Sequence, residues 1–197
     1  MLALAAALAA TLASPPPPLV DVSRAIPDAV PDLRYATDRN FTGRALYPPG
    51  ARCLLLRPVA DRLARAASRL RSHGFRLRLY DCYRPVSVQR QLWRRFPKPG
   101  FVADPRTGSH HNRGAAVDVG LATQEGGEVE LPTPFDAFEP RAAAFATAGL
   151  SPAARRHRDL LRGTMEAEGF RPSRREWWHF DAPEARGSPV LDVPTTP

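Results

Sequence analysis

Apolar residues recur every three or four positions between residues 57 and 73, the spacing that places them on one face of a helix. A proline in the first turn and a glycine just past the last one are typical of helix boundaries. The pattern therefore predicts an amphipathic helix over residues 57–73. Its apolar face consists of Val59, Leu63, Ala67 and Leu70.

Strict alternation replaces this spacing over residues 75–80, which read Phe-Arg-Leu-Arg-Leu-Tyr. A period of two predicts a strand with one buried face, running to Asp81 and ending before Pro85. Weaker patterns predict helices over residues 86–96 and 152–168, strands over 114–121 and 176–181, and a hairpin or surface excursion near 126–131. Helices and strands alternate irregularly, which favours an α+β fold: a single domain with a central, mostly antiparallel sheet flanked by helices.

The length of 197 residues fits one domain with short extensions. With 43% hydrophobic and 24% charged residues, the composition is typical of a soluble globular protein and excludes general disorder. Prolines cluster near both ends. We therefore expect an apolar leader with a Pro-rich linker at residues 1–19, a folded domain at 20–186 and a Pro-rich C-terminal tail at 187–197.

The chain carries 28 basic and 20 acidic residues, a net charge of +8, and Lys98 is the one lysine. A basic balance raises the prospect of a polyanionic partner. However, the sequence has no zinc-finger spacing, helix-turn-helix pattern or interleaving of aromatic and basic residues. We predict no nucleic-acid partner.

The first thirteen residues are apolar and run into Ser14 and four prolines. This segment is too short to span a bilayer, which takes about 20 residues, so we expect no stable membrane insertion. It resembles the apolar part of a secretory signal, although no basic residue precedes it. We expect a periplasmic or secreted protein. A cytoplasmic protein with an alanine-rich extension is the alternative.

Two cysteines, Cys53 and Cys82, lie in stretches that resemble strands. In an exported protein they are expected to form one disulfide across neighbouring strands, and in a cytoplasmic protein to remain two buried thiols. Their spacing from each other and from the histidines does not suggest a metal site.

Three of the five histidines lie in two compact motifs, at residues 109–118 and 176–179. A hydrolytic zinc site needs three nitrogen or oxygen ligands, an open position for water and a nearby carboxylate that accepts the water's proton. His111, Asp118 and His179 supply such ligands, and Glu176 supplies the carboxylate. We predict one Zn²⁺ per chain.

His111 and Asp118 are seven positions apart. That separation corresponds to about 10 Å along a helix and roughly 20 Å along a strand. The two side chains can share an ion only if the chain reverses between them. Gly114 is the position where a reversal is least strained, because glycine tolerates positive φ.

Each candidate also has a simpler interpretation. A single histidine is more often a hydrogen-bonded surface residue than a ligand, Asp118 is compatible with a turn, and Glu176 follows two arginines that can pair with it. His110 would point elsewhere in an extended segment, so we do not assign it as a ligand. His73 and His157 fit surface positions.

Six motifs occur in order along the chain: Asp32-Leu-Arg-Tyr35-Ala-Thr, Asn40-Phe-Thr-Gly43, Asp81-Cys-Tyr-Arg84-Pro85, Ser109-x-His111-x-x-Gly114-x-Ala116-x-Asp118, Thr133-Pro-Phe-Asp136-Ala-Phe and Glu176-x-x-His179. Taken together, they resemble the zinc D-alanyl-D-alanine dipeptidases, the VanX-like branch of the D,D-peptidases that share a fold with the Hedgehog signalling domain. The resemblance extends from about residue 20 to residue 181. The segment between residues 84 and 109 is shorter than in the family's resistance enzymes, which bears on the pocket wall.

The resemblance implies a role for each matched residue. His111, Asp118 and His179 would hold the zinc. Glu176 would act first as general base and then as general acid. Arg84 would stabilise the oxyanion of the tetrahedral intermediate, a task that suits a fixed cationic donor.

Three further residues would bind the two ends of the substrate: Ser109, Asp136 and Tyr35, with Asp136 facing the free amino group. A site with an acid at one end and donors at the other measures the length of a dipeptide, because an unpaired charge at either end is costly.

The expected function is hydrolysis of D-alanyl-D-alanine from cell-wall precursors or turnover. The alternatives are a D,D- or L,D-carboxypeptidase that trims muropeptides, and a non-catalytic zinc-binding module. Asp136 favours the dipeptidase over the first alternative, and Glu176 with Arg84 speaks against the second. The sequence leaves open the oligomeric state and the choice between antibiotic resistance and recovery of D-alanine.

Overall fold

A computed structural model describes residues 19–196 of the chain. Most of the leader expected at residues 1–19 lies outside the described residues, so the secretion signal stays a prediction. Over residues 19–196, no helix combines the length and the apolar character needed to cross a bilayer.

The helices are α1 (Val22–Ala25), α2 (Arg57–Ser72), α3 (Val86–Arg95) and α4 (Pro152–Ala167), and the strands are β1 (Leu19–Asp21), β2 (Val30–Pro31), β3 (Leu54–Leu56), β4 (Phe75–Asp81), β5 (Ala116–Thr123), β6 (Arg171–Pro172) and β7 (His179–Asp181).

Five strands form the central sheet, in the order β2-β4-β5-β7-β6. β2 runs parallel to β4, and the other neighbouring pairs of this sheet are antiparallel. β1 and β3 form a separate antiparallel pair. The predicted α+β domain with a mostly antiparallel sheet is therefore confirmed.

The two long helices pack on the sheet and on each other, with α2 against β4 and α4 against β5. α2 buries the apolar face that its sequence pattern predicts. Just beyond the end of α4, the Glu168 carboxylate accepts hydrogen bonds from Arg65 and Arg69 of α2 at 2.7 and 2.5 Å. These ion pairs tie the two helices together at their solvent side.

One strand prediction is only partly right. The strand expected over residues 176–181 is confined to β7, and residues 176–178 form a turn. The Trp177 backbone N–H donates to Ala142 O at 2.8 Å, and its indole N–H donates to Thr133 Oγ1 at 3.0 Å. Both tryptophans of this turn are almost fully buried, and Trp178 O still accepts the Val119 N–H of β5 at 2.9 Å. Regular strand pairing begins only at His179.

Cys53 and Cys82 form a disulfide, with their Cα atoms 5.1 Å apart. Cys53 directly precedes β3 and Cys82 directly follows β4. These strands belong to different sheets, so the bond does not cross a pair of neighbouring strands as expected. Instead, it links the small sheet to the central one.

The segment after residue 186, predicted as a Pro-rich C-terminal tail, packs against the domain. Residues 187–196 contain no helix or strand, yet they lie along the body of the domain. Leu191 is buried, and its N–H donates to Asn112 O at 2.8 Å. The Val193 N–H donates to the Tyr83 hydroxyl at 2.8 Å. The chain end therefore packs beside the segments that carry the candidate site residues.

Candidate active site

The register of the central sheet places two candidate side chains, Asp118 and His179, in one row with Asp81. Asp81 of β4 lies opposite Asp118 of β5, and Asp118 lies opposite His179 of β7. The pairing of β4 with β5 is irregular after Leu79, which leaves Tyr80 out of the register and brings Asp81 beside Asp118. An extra residue of this kind re-aims the side chain that follows it.

His111 reaches the same place from a 3-10 turn, His111–Arg113, that precedes β5. Gly114 ends the turn with φ at +63°, so the predicted chain reversal occurs at the predicted glycine. His111 Nε2 lies 3.3 Å from Asp118 Oδ1 and 3.1 Å from His179 Nδ1. Ligand atoms of these three residues all lie within 4.8 Å of one another.

Each imidazole is oriented by an acceptor on its far side. His111 Nδ1 donates to the carbonyl oxygen of Cys82 at 2.7 Å, and His179 Nε2 donates to Asp181 Oδ1 at 3.0 Å. Because both acceptors can only receive a proton, the nitrogen facing the cluster is the one available to a cation. Two imidazole nitrogens and one carboxylate oxygen form a donor set that suits zinc.

The charges within the cluster also favour a cation. Burial opposes ionisation of Asp118, but His111 and His179 outweigh it and hold the pKa of this carboxyl well below its usual range. Burial likewise disfavours a charged His179, whereas its hydrogen bonds with Asp118 and Asp181 raise the pKa of the imidazole. A cation bound here would take the place of any proton on His179 Nδ1, so we expect metal affinity to depend on pH.

Glu176 faces the same cavity from the turn before β7. Burial raises the pKa of its carboxyl to about 7, and Asp118 contributes in the same direction, while His179 opposes the shift. A carboxyl with a pKa near neutrality can both accept and return a proton at physiological pH.

Arg84 is buried and held in place by three hydrogen bonds. Its Nε and Nη2 donate to Asp81 Oδ2 at 2.9 and 2.7 Å, and its Nη1 donates to Gln89 Oε1 at 2.8 Å. Tyr47 donates to the other Asp81 oxygen at 2.5 Å. The guanidinium also stacks on the Tyr35 ring, 5.0 Å from its centroid. Because a guanidinium has five N–H donors, two remain for a ligand.

A cavity of about 310 Å³ joins these groups to the other candidates. This volume is at the small end of the usual range for ligand pockets. All eight residues assigned from the sequence line it: Tyr35, Arg84, Ser109, His111, Asp118, Asp136, Glu176 and His179.

Asp136 has an unusual backbone, with φ at +62°, the one non-glycine positive φ within residues 19–196. Its carboxylate accepts long hydrogen bonds of 3.3 Å from the Tyr35 hydroxyl and the Phe41 N–H. Burial raises the pKa of this carboxyl to about 8, against the effect of the Phe41 N–H. A strained residue with a destabilised charge is typical of a functional site.

Ser109 and a group of aromatic rings complete the cavity wall. The Ser109 hydroxyl accepts a hydrogen bond from the His111 N–H at 3.2 Å, which leaves its own proton for another acceptor. Among the rings that line the cavity, the Phe138 ring lies 5.3 Å from Phe41 and 5.2 Å from Phe101. The cavity thus has a polar metal side and a largely aromatic side.

Two supporting carboxylates were not identified from the sequence, Asp81 as a partner of Arg84 and Asp181 as a partner of His179. Asp181 had a signal, since residues two apart in a strand share a face. The expectation that His110 points elsewhere assumed an extended segment, whereas His110 lies at the start of the 3-10 turn. It lines the cavity outside the three-ligand group, and its Nδ1 donates to Asp181 at 2.7 Å.

Residues 17–195 match the family model described as D-ala-D-ala dipeptidase, peptidase M15. The chain is similar to a D-alanyl-D-alanine dipeptidase of Escherichia coli K12, with 39% identity over 88% of this chain and 89% of the relative. It is 31% identical to the D-alanyl-D-alanine dipeptidase of Enterococcus faecalis, over 76% of this chain and 83% of that protein. A Streptomyces coelicolor protein of the same name is 34% identical, over 78% of this chain and 85% of that protein.

Proposed function

The chain belongs to the peptidase M15 family of D-ala-D-ala dipeptidases, and from this membership we infer that it is a metallopeptidase that hydrolyses D-alanyl-D-alanine. We propose that its metal is a single zinc ion held by His111, Asp118 and His179. The observation that carries the proposal is the convergence of these three ligand atoms within 4.8 Å, in the cavity that Glu176 also lines.

A zinc ion at this position would polarise the scissile carbonyl and lower the pKa of water toward about 7. We assign the proton transfers to Glu176. Its carboxylate accepts the proton of the attacking water and then donates it to the amino group that leaves. Burial raises the pKa of this carboxyl above its usual range, which favours return of the proton to the leaving amine.

Arg84 is proposed to stabilise the negative charge that develops on the carbonyl oxygen. Its hydrogen bonds with Asp81 and Gln89 hold the guanidinium in one orientation before substrate arrives. Donors fixed in advance are the effective ones, since they need no reorganisation during the reaction.

Asp136 is proposed to bind the substrate's ammonium group, with Tyr35 beside it and Ser109 toward the carboxylate end. The buried carboxyl of Asp136 is costly to ionise when it is alone, as its pKa of about 8 indicates. A substrate ammonium would compensate that cost. An N-acylated substrate would not, and for this reason a dipeptide with a free amine fits the site better than a long stem peptide.

The test compares substrates side by side with the purified zinc protein. D-Ala-D-Ala should be cleaved, whereas L-Ala-L-Ala, N-acetyl-D-Ala-D-Ala and a pentapeptide ending in D-Ala-D-Ala should be cleaved far more slowly. In Asp136→Asn, cleavage of the free dipeptide should fall much more than cleavage of the acetylated one. Comparable cleavage of free and N-acylated substrates by the parent would instead support a muropeptide carboxypeptidase.

We further propose that the protein acts in the periplasm or outside the cell, on dipeptide from cell-wall precursors or wall turnover. The Cys53–Cys82 disulfide supports this location, because such bonds persist mainly in oxidising compartments. Fractionation of cells that express the full chain would test it, and recovery of the protein with cytoplasmic markers would contradict it.

A further inference from the structure

Cys82 connects a proposed metal ligand to the small sheet through a hydrogen bond and a disulfide. Its carbonyl oxygen accepts the hydrogen bond from His111 Nδ1 at 2.7 Å, so this atom determines which nitrogen of the ring faces the other ligands. Its sulfur is bonded to Cys53, whose chain enters β3. The peptide that orients a proposed ligand is therefore covalently attached to a second sheet.

The Cys53 end of the link is anchored in the small sheet. The Cys53 carbonyl accepts the Val22 N–H at 2.9 Å, and the next residue, Leu54, pairs with Asp21 of β1. Leu54 also accepts the Tyr83 N–H at 2.9 Å. Residues 53 and 54 are thus held by hydrogen bonds to the β1–α1 segment and to Tyr83.

The other side of the Cys82 segment faces the histidine turn. The Arg84 N–H donates to His111 O at 3.2 Å, and the Asn112 side chain donates to Arg84 O at 2.6 Å. Residues 82–84 therefore form a bridge between the small sheet and the turn that carries His111. Within that bridge, the disulfide is the one covalent connection and the remaining links are single hydrogen bonds.

We propose that the Cys53–Cys82 disulfide is a positioning element of the metal site, which holds the Cys82 carbonyl in the place that orients His111. This inference rests on the proposed zinc site. Groups that orient a metal ligand from outside typically change metal affinity about 10- to 100-fold when they are lost. Small displacements are sufficient, because a site tolerates errors of only about half an ångström in its ligands.

The experiment measures zinc affinity by competition with a chromogenic chelator, in three proteins that near-UV circular dichroism shows to be folded. They are the parent, the double variant Cys53→Ala/Cys82→Ala, and the stability control Leu161→Ala. Leu161 is fully buried in α4, away from the cavity lining, so its truncation should weaken the fold without changing the site. The visible spectrum of the Co²⁺-loaded proteins reports ligand geometry independently of turnover.

The double variant should bind zinc about tenfold more weakly than the parent and show an altered Co²⁺ spectrum, whereas Leu161→Ala should match the parent in both. If the double variant does not fold, the parent treated with a phosphine reductant replaces it. The phosphine and one water are converted to phosphine oxide as the disulfide becomes two thiols. Cys53 lines a surface cavity of about 300 Å³ through which such a reagent can approach.

Unchanged zinc affinity in the folded protein without the disulfide would overturn the positioning role, and so would an equal loss in Leu161→Ala. A parent protein that binds no zinc would contradict the proposed metal site itself. The two failures are therefore distinguishable.

Discussion

The metal side and the substrate side of the cavity differ in how the chain supports them. On the metal side, Asp118 and His179 lie on paired strands, and each histidine ring is fixed by a hydrogen bond of 3.0 Å or less. On the substrate side, Asp136 lies in irregular chain with a left-handed backbone, and its hydrogen bonds are 3.3 Å long.

This difference corresponds to different physical requirements. A metal site tolerates little error in ligand geometry, so ligands on a regular sheet, each with an orienting partner, are favourable. A pocket that recognises one substrate can be built from loops, whose shape changes without disturbing the sheet. The strain and the costly charge at Asp136 persist because the surrounding fold holds them.

Substituting a ligand is expected to have the largest effect on the metal side. His111→Ala should lose zinc, since it removes one of three protein ligands. His110→Ala is the matched control, because it removes the neighbouring imidazole that lines the cavity outside the ligand group. Zinc content by atomic emission after dialysis measures both. Full zinc occupancy in His111→Ala would refute the assignment.

Removing the proposed base should separate chemistry from metal binding. Glu176→Ala should retain zinc and lose about 100- to 10,000-fold in turnover, the range typical of general acid-base catalysis. Steady-state rates on D-Ala-D-Ala, together with zinc content, measure this. Near-parental turnover would make Glu176 a structural residue.

A smaller effect should distinguish the metal side from the substrate side by zinc affinity alone. Asp181→Ala removes the acceptor that orients His179 and should weaken zinc binding about 10- to 100-fold. Asp136→Asn, on the substrate side, should leave zinc affinity unchanged. Chelator competition measures both variants. Similar losses in the two would mean that the metal and substrate sides are not separately supported.

The smallest effect concerns stability. The pKa of Asp136 is about 8 in the folded chain, compared with about 4 for a free carboxyl, so folding disfavours its ionised form. The parent therefore loses stability as the pH rises from about 4 to about 8. Asn carries no charge and tolerates the left-handed backbone.

Asp136→Asn should consequently raise the Tm of the zinc-free protein by a few degrees at pH 8 and by less at pH 5. Thermal unfolding followed by circular dichroism at the two pH values measures the difference. An increase that is the same at both pH values would point to backbone strain and not to charge.

Local patterns in the chain were sufficient to predict the main elements and the ligand types. The 3.6-residue period gave α2 and the period of two gave β4, because both depend on neighbours within a few positions. The reversal at Gly114 also followed from local reasoning, since His111 and Asp118 cannot otherwise meet. The turn before β7 did not follow, because the burial of Trp177 against Thr133 and Ala142 depends on distant chain.

The groups that hold the site residues in position could be identified only from the tertiary structure. That Asp81, Asp118 and His179 share one row is a property of sheet register, and register depends on strands far apart in sequence. The carbonyl of Cys82 has no signature at all, because every residue carries one and only the fold decides which of them faces His111. The amino-acid sequence thus specifies which chemical groups are present, whereas long-range packing determines which backbone atoms and carboxylates hold them in position.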